Sequence, residues 1–175
     1  MLNQVGCQFS VITSDVVEDN TLDMSPSELV SLQAKDKALD VAAKIAPESV
    51  VIGADTIVAL DGQVFGKPEN KEDARRMLRR LAGKEHEVIT GVAVVRGTKV
   101  WVEHVITKVR IKNLADEEID HYIATGEPMD KAGAYGIQGI GALLVEEISG
   151  CYANVVGLPL QRLSQMLKKA GVQLL

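Results

Sequence analysis

Apolar and polar positions along the chain switch repeatedly between a period of two and a period of about 3.6, and the switches mark out the elements. Phe9 to Thr13, FSVIT, is predicted as a short strand, and SDVVEDN after it as an acidic loop. From Ser25 the spacing becomes helical. Ser25 is the N-cap, Pro26 the first helical residue, and Glu28 completes a capping box. Val30, Ala34, Ala38, Val41 and Ile45 then form one apolar stripe. Lys37 falls about 60° from the centre of that stripe, at the border between core and solvent, where a lysine ordinarily snorkels. Val50 to Ile52 read as a buried strand that ends on Gly53, Ala54 and Asp55, and Asp61-Gly62 is a hairpin signal pairing 56–60 with 63–65. Asn70 caps a second helix with Glu72 and Asp73 in its first turn, and Gly83 ends it. Ala74, Met77, Leu78 and Leu81 face inward, leaving Arg75, Arg76, Arg79 and Arg80 on a solvated face.

A long hairpin follows around Arg96-Gly97-Thr98, and in its second arm Thr107, Val109 and Ile111 alternate with Lys108, Arg110 and Lys112, so one face is wet. A short helix is predicted over Asp116 to Thr125, a strand within ALLVEEI, and a last helix from Pro159 to Gly171. Alternating strands and helices make an α/β protein. No repeat, linker or low-complexity tract divides the chain, so residues 1–175 are read as one domain.

Composition narrows the functional classes. With 175 residues, 46% of them hydrophobic, the chain has ample material for a core. The net charge of −5 leaves no global basic footprint, so stable nucleic-acid binding is not expected and any anion site must be local. Apolar runs such as Val92 to Val95 are too short to span a bilayer, and MLNQVGCQFS has neither a basic nor an apolar signal region. The expected setting is the cytoplasm, without a membrane partner. Cys7 and Cys151 lie far apart and are expected to be buried thiols, and His86, His104 and His121 show no metal-ligand spacing. Zinc is therefore not expected. A hard cation held by carboxylates and phosphate oxygens needs just one or two protein ligands.

Candidate chemistry collects in a few stretches. Asp55 ends an apolar strand and Lys67 follows twelve residues on, ahead of a proline. A strand-end aspartate is also a common turn or cap residue. Within residues 127–150, Gly133, Gly136, Gly139 and Gly141 surround Asp130, Lys131, Tyr135 and Gln138, without a G-x-G-x-x-G or Walker A pattern. Such loops bind phosphate through backbone N–H groups, although plain turn chemistry has the same composition. Brought to one cleft, Glu18, Asp55, Lys37, Lys67, Lys131 and Gln138 would make a Mg²⁺ and polyphosphate site, with a carboxylate to orient water and cations to take up phosphoryl charge. Spacing alone does not show that they meet.

The motifs G-A-D-T at 53–56, G-K-P at 66–68, D-K-A-G-A-Y-G-I-Q-G at 130–139 and V-G-L-P at 156–159, with A-K-D-K-A at 34–38, resemble the Maf family of nucleoside triphosphate pyrophosphatases, in the family's order and spacing. The resemblance runs from Leu2 to the final helix. It implies a mixed, elongated sheet with flanking helices, split into two lobes around a central cleft as in inosine triphosphatase-like folds. It also implies hydrolysis of a nucleoside triphosphate between the α and β phosphates. By that resemblance Asp55 is the catalytic base or a metal-linked acid and Glu18 a second metal-linked acid. Lys37 and Lys67 contact phosphate, Lys67 among the catalytic groups, while Thr56, Lys131 and Gln138 are substrate-binding. A divalent cation, Mg²⁺ or Mn²⁺, and a homodimer are the family-level expectations. Family members that prefer dTTP and UTP carry these motifs, whereas the branch resembling N7-methyl-GTP pyrophosphatases has S-D-Q for A-D-T. Two rivals are a regulator of septum formation acting through the arginine-bearing helix, and a nucleotide sensor that leaves its ligand intact.

The resemblance carries one expectation about the N-terminus. Family members open with a β-strand and an S-x-S-P-R-R loop, then a segment like L-L-x-Q-x-G, which Leu2-Asn3-Gln4-Val5-Gly6 matches directly after Met1. The chain as written is thus expected to lack that strand and loop, to be a weak pyrophosphatase with a lowered melting temperature, and to recover both properties on upstream extension.

Overall fold

The structure is a computed structural model and describes residues 1–174. Helix α1, Pro26–Ala42, begins where the capping pattern places it: Ser25 Oγ accepts from Glu28 N at 3.3 Å, and Glu28 Oε2 accepts from Ser25 N at 3.0 Å. Ile45 of the expected stripe lies beyond its end. Strand β1, Val50–Leu60, turns through Asp61-Gly62 into β2, Gln63–Phe65, with Leu60 opposite Gln63. Helix α2 is Lys71–Leu81, followed by the long hairpin of β3, Glu85–Arg96, and β4, Lys99–Ile111. Helix α3, Asp116–Ala124, leads through 3₁₀ turns over 127–143 to β5, Val145–Ser149; a single turn α4, Tyr152–Val155, precedes α5, Leu160–Lys169.

Among the described residues the strands form one five-stranded sheet in the order β2-β1-β3-β4-β5. The resemblance implies a mixed sheet; all four pairings here are antiparallel. FSVIT is a correction. Residues 9–13 form no strand and pair with none among the described residues, and Val11 is 83% exposed. A β-branched run supplies propensity, but a ladder needs a neighbouring edge. Cys7 and Cys151 are free and half-buried rather than fully buried.

Helix α1 lies flat on one face of the sheet because both surfaces are small there. Ala34 and Ala38 meet Gly53 of β1, where an added Cβ would stand 2.9 Å from Ala38 Cβ, and an added Cβ on Gly91 of β3 would run into the Val30 carbonyl. On the opposite face two cores flank a gap. Val50 and Ile52 pack with Val92, Val94 and α5, while Val58 and Leu60 pack with Val109, Ile111, α2 and α3. Strand alternation turns Ala54 and Thr56 to that same face between the two cores, where they line a cleft. The two lobes are these two cores.

Candidate active site

Asp55 points the other way, under α1. The close helix-to-sheet approach sets Lys37 Nζ 2.7 Å from Asp55 Oδ1, and the same ammonium donates to Glu18 Oε1 at 2.5 Å. The cleft therefore wraps around β1, with Asp55 on one side of the strand and Thr56 on the other. Asp55 is 7% exposed, and its Oδ2 is buried without a partner. Burial pushes its carboxyl above the usual aspartate range, against the Lys37 hydrogen bond that favours the charged form. Glu18, nearer solvent, is held below its usual range by the hydrogen bond from Lys37. For Lys37 burial is the largest influence and opposes the charge, but its bonds to Asp55 and Glu18 together outweigh it and raise its pKa.

The facing wall comes from the 66–68 turn and the glycine-rich loop, tied together by Gly133 N donating to Gly66 O at 3.0 Å. Lys67 is exposed at the mouth, and its field favours the charged forms of Glu18, Asp55 and Asp130. Lys131 is ion-paired with Asp130, and Gln138 is exposed on the rim. All seven residues singled out in the sequence, Glu18, Lys37, Asp55, Thr56, Lys67, Lys131 and Gln138, line this one cleft of about 460 Å³.

Other residues that shape the site carried weaker signals. Gln33 is 4% exposed on the apolar face of α1 and donates to Asp19 O at 3.2 Å and Asn20 Oδ1 at 3.0 Å, fastening the loop that carries Glu18. Glu127 accepts from Gly141 N at 2.8 Å, Ile140 N at 3.0 Å and Tyr122 Oη at 2.9 Å, while Tyr122 Oη accepts from Gly136 N at 3.1 Å. That network holds the loop from behind, where Gly133 and Gly139 take positive φ angles. His86, 2% exposed, contacts Tyr135 Oη through Nε2 at 2.7 Å, and burial pushes its pKa down to about 4, so it is neutral at physiological pH. Gln33, Tyr122 and His86 are polar residues at core-facing positions, which is the signal a sequence offers, whereas Glu127 is half-buried in a turn.

A divalent cation fits part of this geometry. Among the described residues no group of three or more His, Cys, Asp or Glu is placed to hold a metal alone. The orphaned Asp55 Oδ2 and the outer oxygen of Glu18 leave two carboxylates, which suits Mg²⁺, an ion that takes one or two protein ligands and fills its shell with phosphate oxygens and water. Three of the four arginines of α2 are engaged elsewhere: Arg75 with Asp120, Arg76 with Asp73 at 2.6 Å and Arg79 with Asp116 at 2.7 Å.

A family model described as Maf-like protein matches residues 1–170. The chain belongs to the Maf family. Among curated relatives, a protein of Dictyoglomus thermophilum is 50% identical over 178 residues, covering 100% of this chain and 92% of its own length. One from Symbiobacterium thermophilum is 52% identical, covering 98% of this chain and 88% of the relative, and one from Acetivibrio thermocellus is 48% identical, covering 100% and 91%. All three bear the name dTTP/UTP pyrophosphatase. In this Maf protein the G-A-D-T strand, the G-K-P turn and the glycine-rich loop converge on one cleft. No helix among the described residues is long and apolar enough to cross a membrane.

Proposed function

We propose that this Maf protein hydrolyses dTTP and UTP to the monophosphate and pyrophosphate. The observation that carries the reading is the ammonium of Lys37 bridging Asp55 and Glu18 at the floor of a cleft whose opposite wall presents Lys67 and Lys131. The relatives' names supply the substrates.

In this reading Asp55 takes a proton from a water, whose oxygen bonds to the α-phosphorus. The bond from that phosphorus to the α–β bridging oxygen breaks, and its electron pair leaves with pyrophosphate. A base works best with a pKa near the operating pH, and burial moves Asp55 in that direction. Lys37 and Lys67 stabilise negative charge on the phosphoryl oxygens in a partly enclosed site, where fixed charges act more strongly than in water. Glu18 keeps Lys37 charged and oriented. A Mg²⁺ or Mn²⁺ ion, held by Asp55 and Glu18, would supply Lewis-acid neutralisation of phosphate charge when bound.

The test is a panel of triphosphates incubated with Mg²⁺ or Mn²⁺ and scored for pyrophosphate release. Release is expected from dTTP and UTP. Equal or better turnover of N7-methyl-GTP overturns the substrate assignment, and intact nucleotide by mass spectrometry overturns the enzyme reading in favour of a sensor.

A further inference from the structure

Charge in the cleft is segregated. Glu18, Lys37 and Asp55 lie on the Asp55 side of β1, and Lys67, Asp130 and Lys131 stand on the facing wall, while the lining from Val88, Val155, Val156 and Gly157 is uncharged. A triphosphate belongs at the charged end, which leaves the nucleoside to the other.

That end offers acceptors and withholds donors. The backbone N–H groups of its wall are all spent internally, Val155 N on Cys151 O at 3.3 Å, Val156 N on Tyr152 O at 3.1 Å and Gly157 N on Asn154 O at 2.9 Å. Tyr135 Oη is hydrogen-bonded to His86 Nε2 at 2.7 Å, with either atom able to be the donor. Thr56 completes the pattern. Its Oγ1 lies 2.9 Å from Oγ1 of Thr90, which is fully buried and 3.2 Å from the Asn154 carbonyl. A hydroxyl has one proton, and a carbonyl can only accept. The orientation that makes both bonds therefore runs from Thr56 to Thr90 to Asn154 O, spending the Thr56 proton inward and leaving lone pairs toward the cleft. Asn154 is itself pinned, its Nδ2 donating to Val88 O and to Thr107 Oγ1 at 3.0 Å each. The carbonyl that ends the relay is thus fixed by the core.

We infer that the uncharged end of the cleft reads the pyrimidine as an imide, Thr56 Oγ1 accepting the N3–H that thymine and uracil share and that cytosine lacks. This rests on the pyrophosphatase reading and names what selects its substrate. Cytosine presents a lone pair at N3, which would face the lone pairs of Thr56 with no proton between them. A site built to bond one polar group rejects an analogue that leaves its partner unpaired. The 2′ position plays no part, consistent with a site that takes both deoxy- and ribonucleotides.

The experiment compares kcat/KM for dTTP, UTP, dCTP and CTP in the full chain with Mg²⁺. The parent should prefer dTTP over dCTP by about tenfold or more, the size of one well-placed hydrogen bond. Thr56→Val should lower kcat/KM for dTTP and UTP by about tenfold and leave dCTP within about twofold, and Thr56→Ser should keep the parent ratio. Thr90→Val, which removes the acceptor of the Thr56 proton, should free that hydroxyl to donate and so raise dCTP relative to dTTP. A dTTP-to-dCTP ratio unmoved by Thr56→Val overturns the inference. So does a parent that turns over dTTP and dCTP equally, although the pyrophosphatase reading then stands. If 3′-deoxy-dTTP escapes the Thr56→Val penalty, the wall accepts the sugar hydroxyl instead and the imide assignment fails. A parent that releases pyrophosphate from no pyrimidine triphosphate sinks the functional reading itself.

Discussion

At Asp55 burial and pairing pull the carboxyl in opposite directions, and burial wins. Its folded pKa lies above its unfolded value, so its contribution to stability is fully present below the unfolded pKa and is lost as pH rises through the folded one. Above that folded pKa the ionised Asp55 is a stability cost. Asp55→Asn keeps the shape and an acceptor for Lys37 while removing that charge. We expect kcat to fall about 10²-fold or more, in the range for a lost general base, with a melting temperature at pH 7 equal to or above the parent's. The parent's kcat/KM should fall on the acid side through a pKa above the ordinary aspartate value, and residual Asp55→Asn activity should lack that limb. Glu18 does not supply the limb, because its pKa is lowered, nor does His86, neutral above about pH 4. Parent-like turnover by folded Asp55→Asn, or an unchanged acid limb, would remove Asp55 from the mechanism.

Between elements, what matters is how closely α1 seats on the sheet, because that distance delivers Lys37 to Asp55. Gly91→Ala places a methyl against the Val30 carbonyl and should lift the helix. A loss of about 1–3 kcal/mol in denaturant titration is expected, with a further drop in kcat/KM in the variant that remains folded; unchanged kinetics would show that the Lys37–Asp55 contact tolerates the shift. The glycine-rich loop depends on a different contact. Glu127→Gln leaves one oxygen where two accept three bonds, so KM for dTTP should rise about fivefold to tenfold with a smaller change in kcat; a KM equal to the parent's would show that the loop orders itself. The contrast explains what the sequence made legible. The capping box at Ser25, the Asp61-Gly62 hairpin and the cleft motifs are local or carry a family's signature, and they were readable. Asn154 bonds Val88 across 66 positions and Gln33 holds Asn20 across 13, and such partners are fixed by register and packing rather than by neighbours in the chain. FSVIT failed for the same reason, since a strand is defined by what lies beside it.

Across the whole molecule, one long open margin of the sheet, along β1, borders the cleft. β2 covers β1 over just three residues, Val58 to Leu60, and among the described residues no strand pairs with that side of β1 over 50–57. Phe9, Val11 and Ile12 are exposed in the same chain. An uncovered margin of backbone N–H and C=O groups is a liability that folded proteins ordinarily pair, twist or charge. A strand laid on this margin should stabilise the sheet, and an arginine-bearing loop carried with it should reach the phosphate end of the cleft. The test adds an N-terminal segment consisting of a short apolar strand and the family's S-x-S-P-R-R loop. Its arginines would bring bidentate cationic contacts to phosphate. Relative to the chain as written, the extended form should melt at least about 4 °C higher, equivalent to ~1–2 kcal/mol for a domain of this size. It should also hydrolyse dTTP with a kcat/KM raised by about tenfold or more, since arginine contacts to phosphate are charge-assisted hydrogen bonds. A strand of the same length with S-x-S-P-A-A separates the two effects: it should keep the thermal gain and lose the kinetic one. If neither form differs from the chain as written, the open margin of β1 is tolerated and the cleft holds its phosphates with Lys37, Lys67 and Lys131 alone.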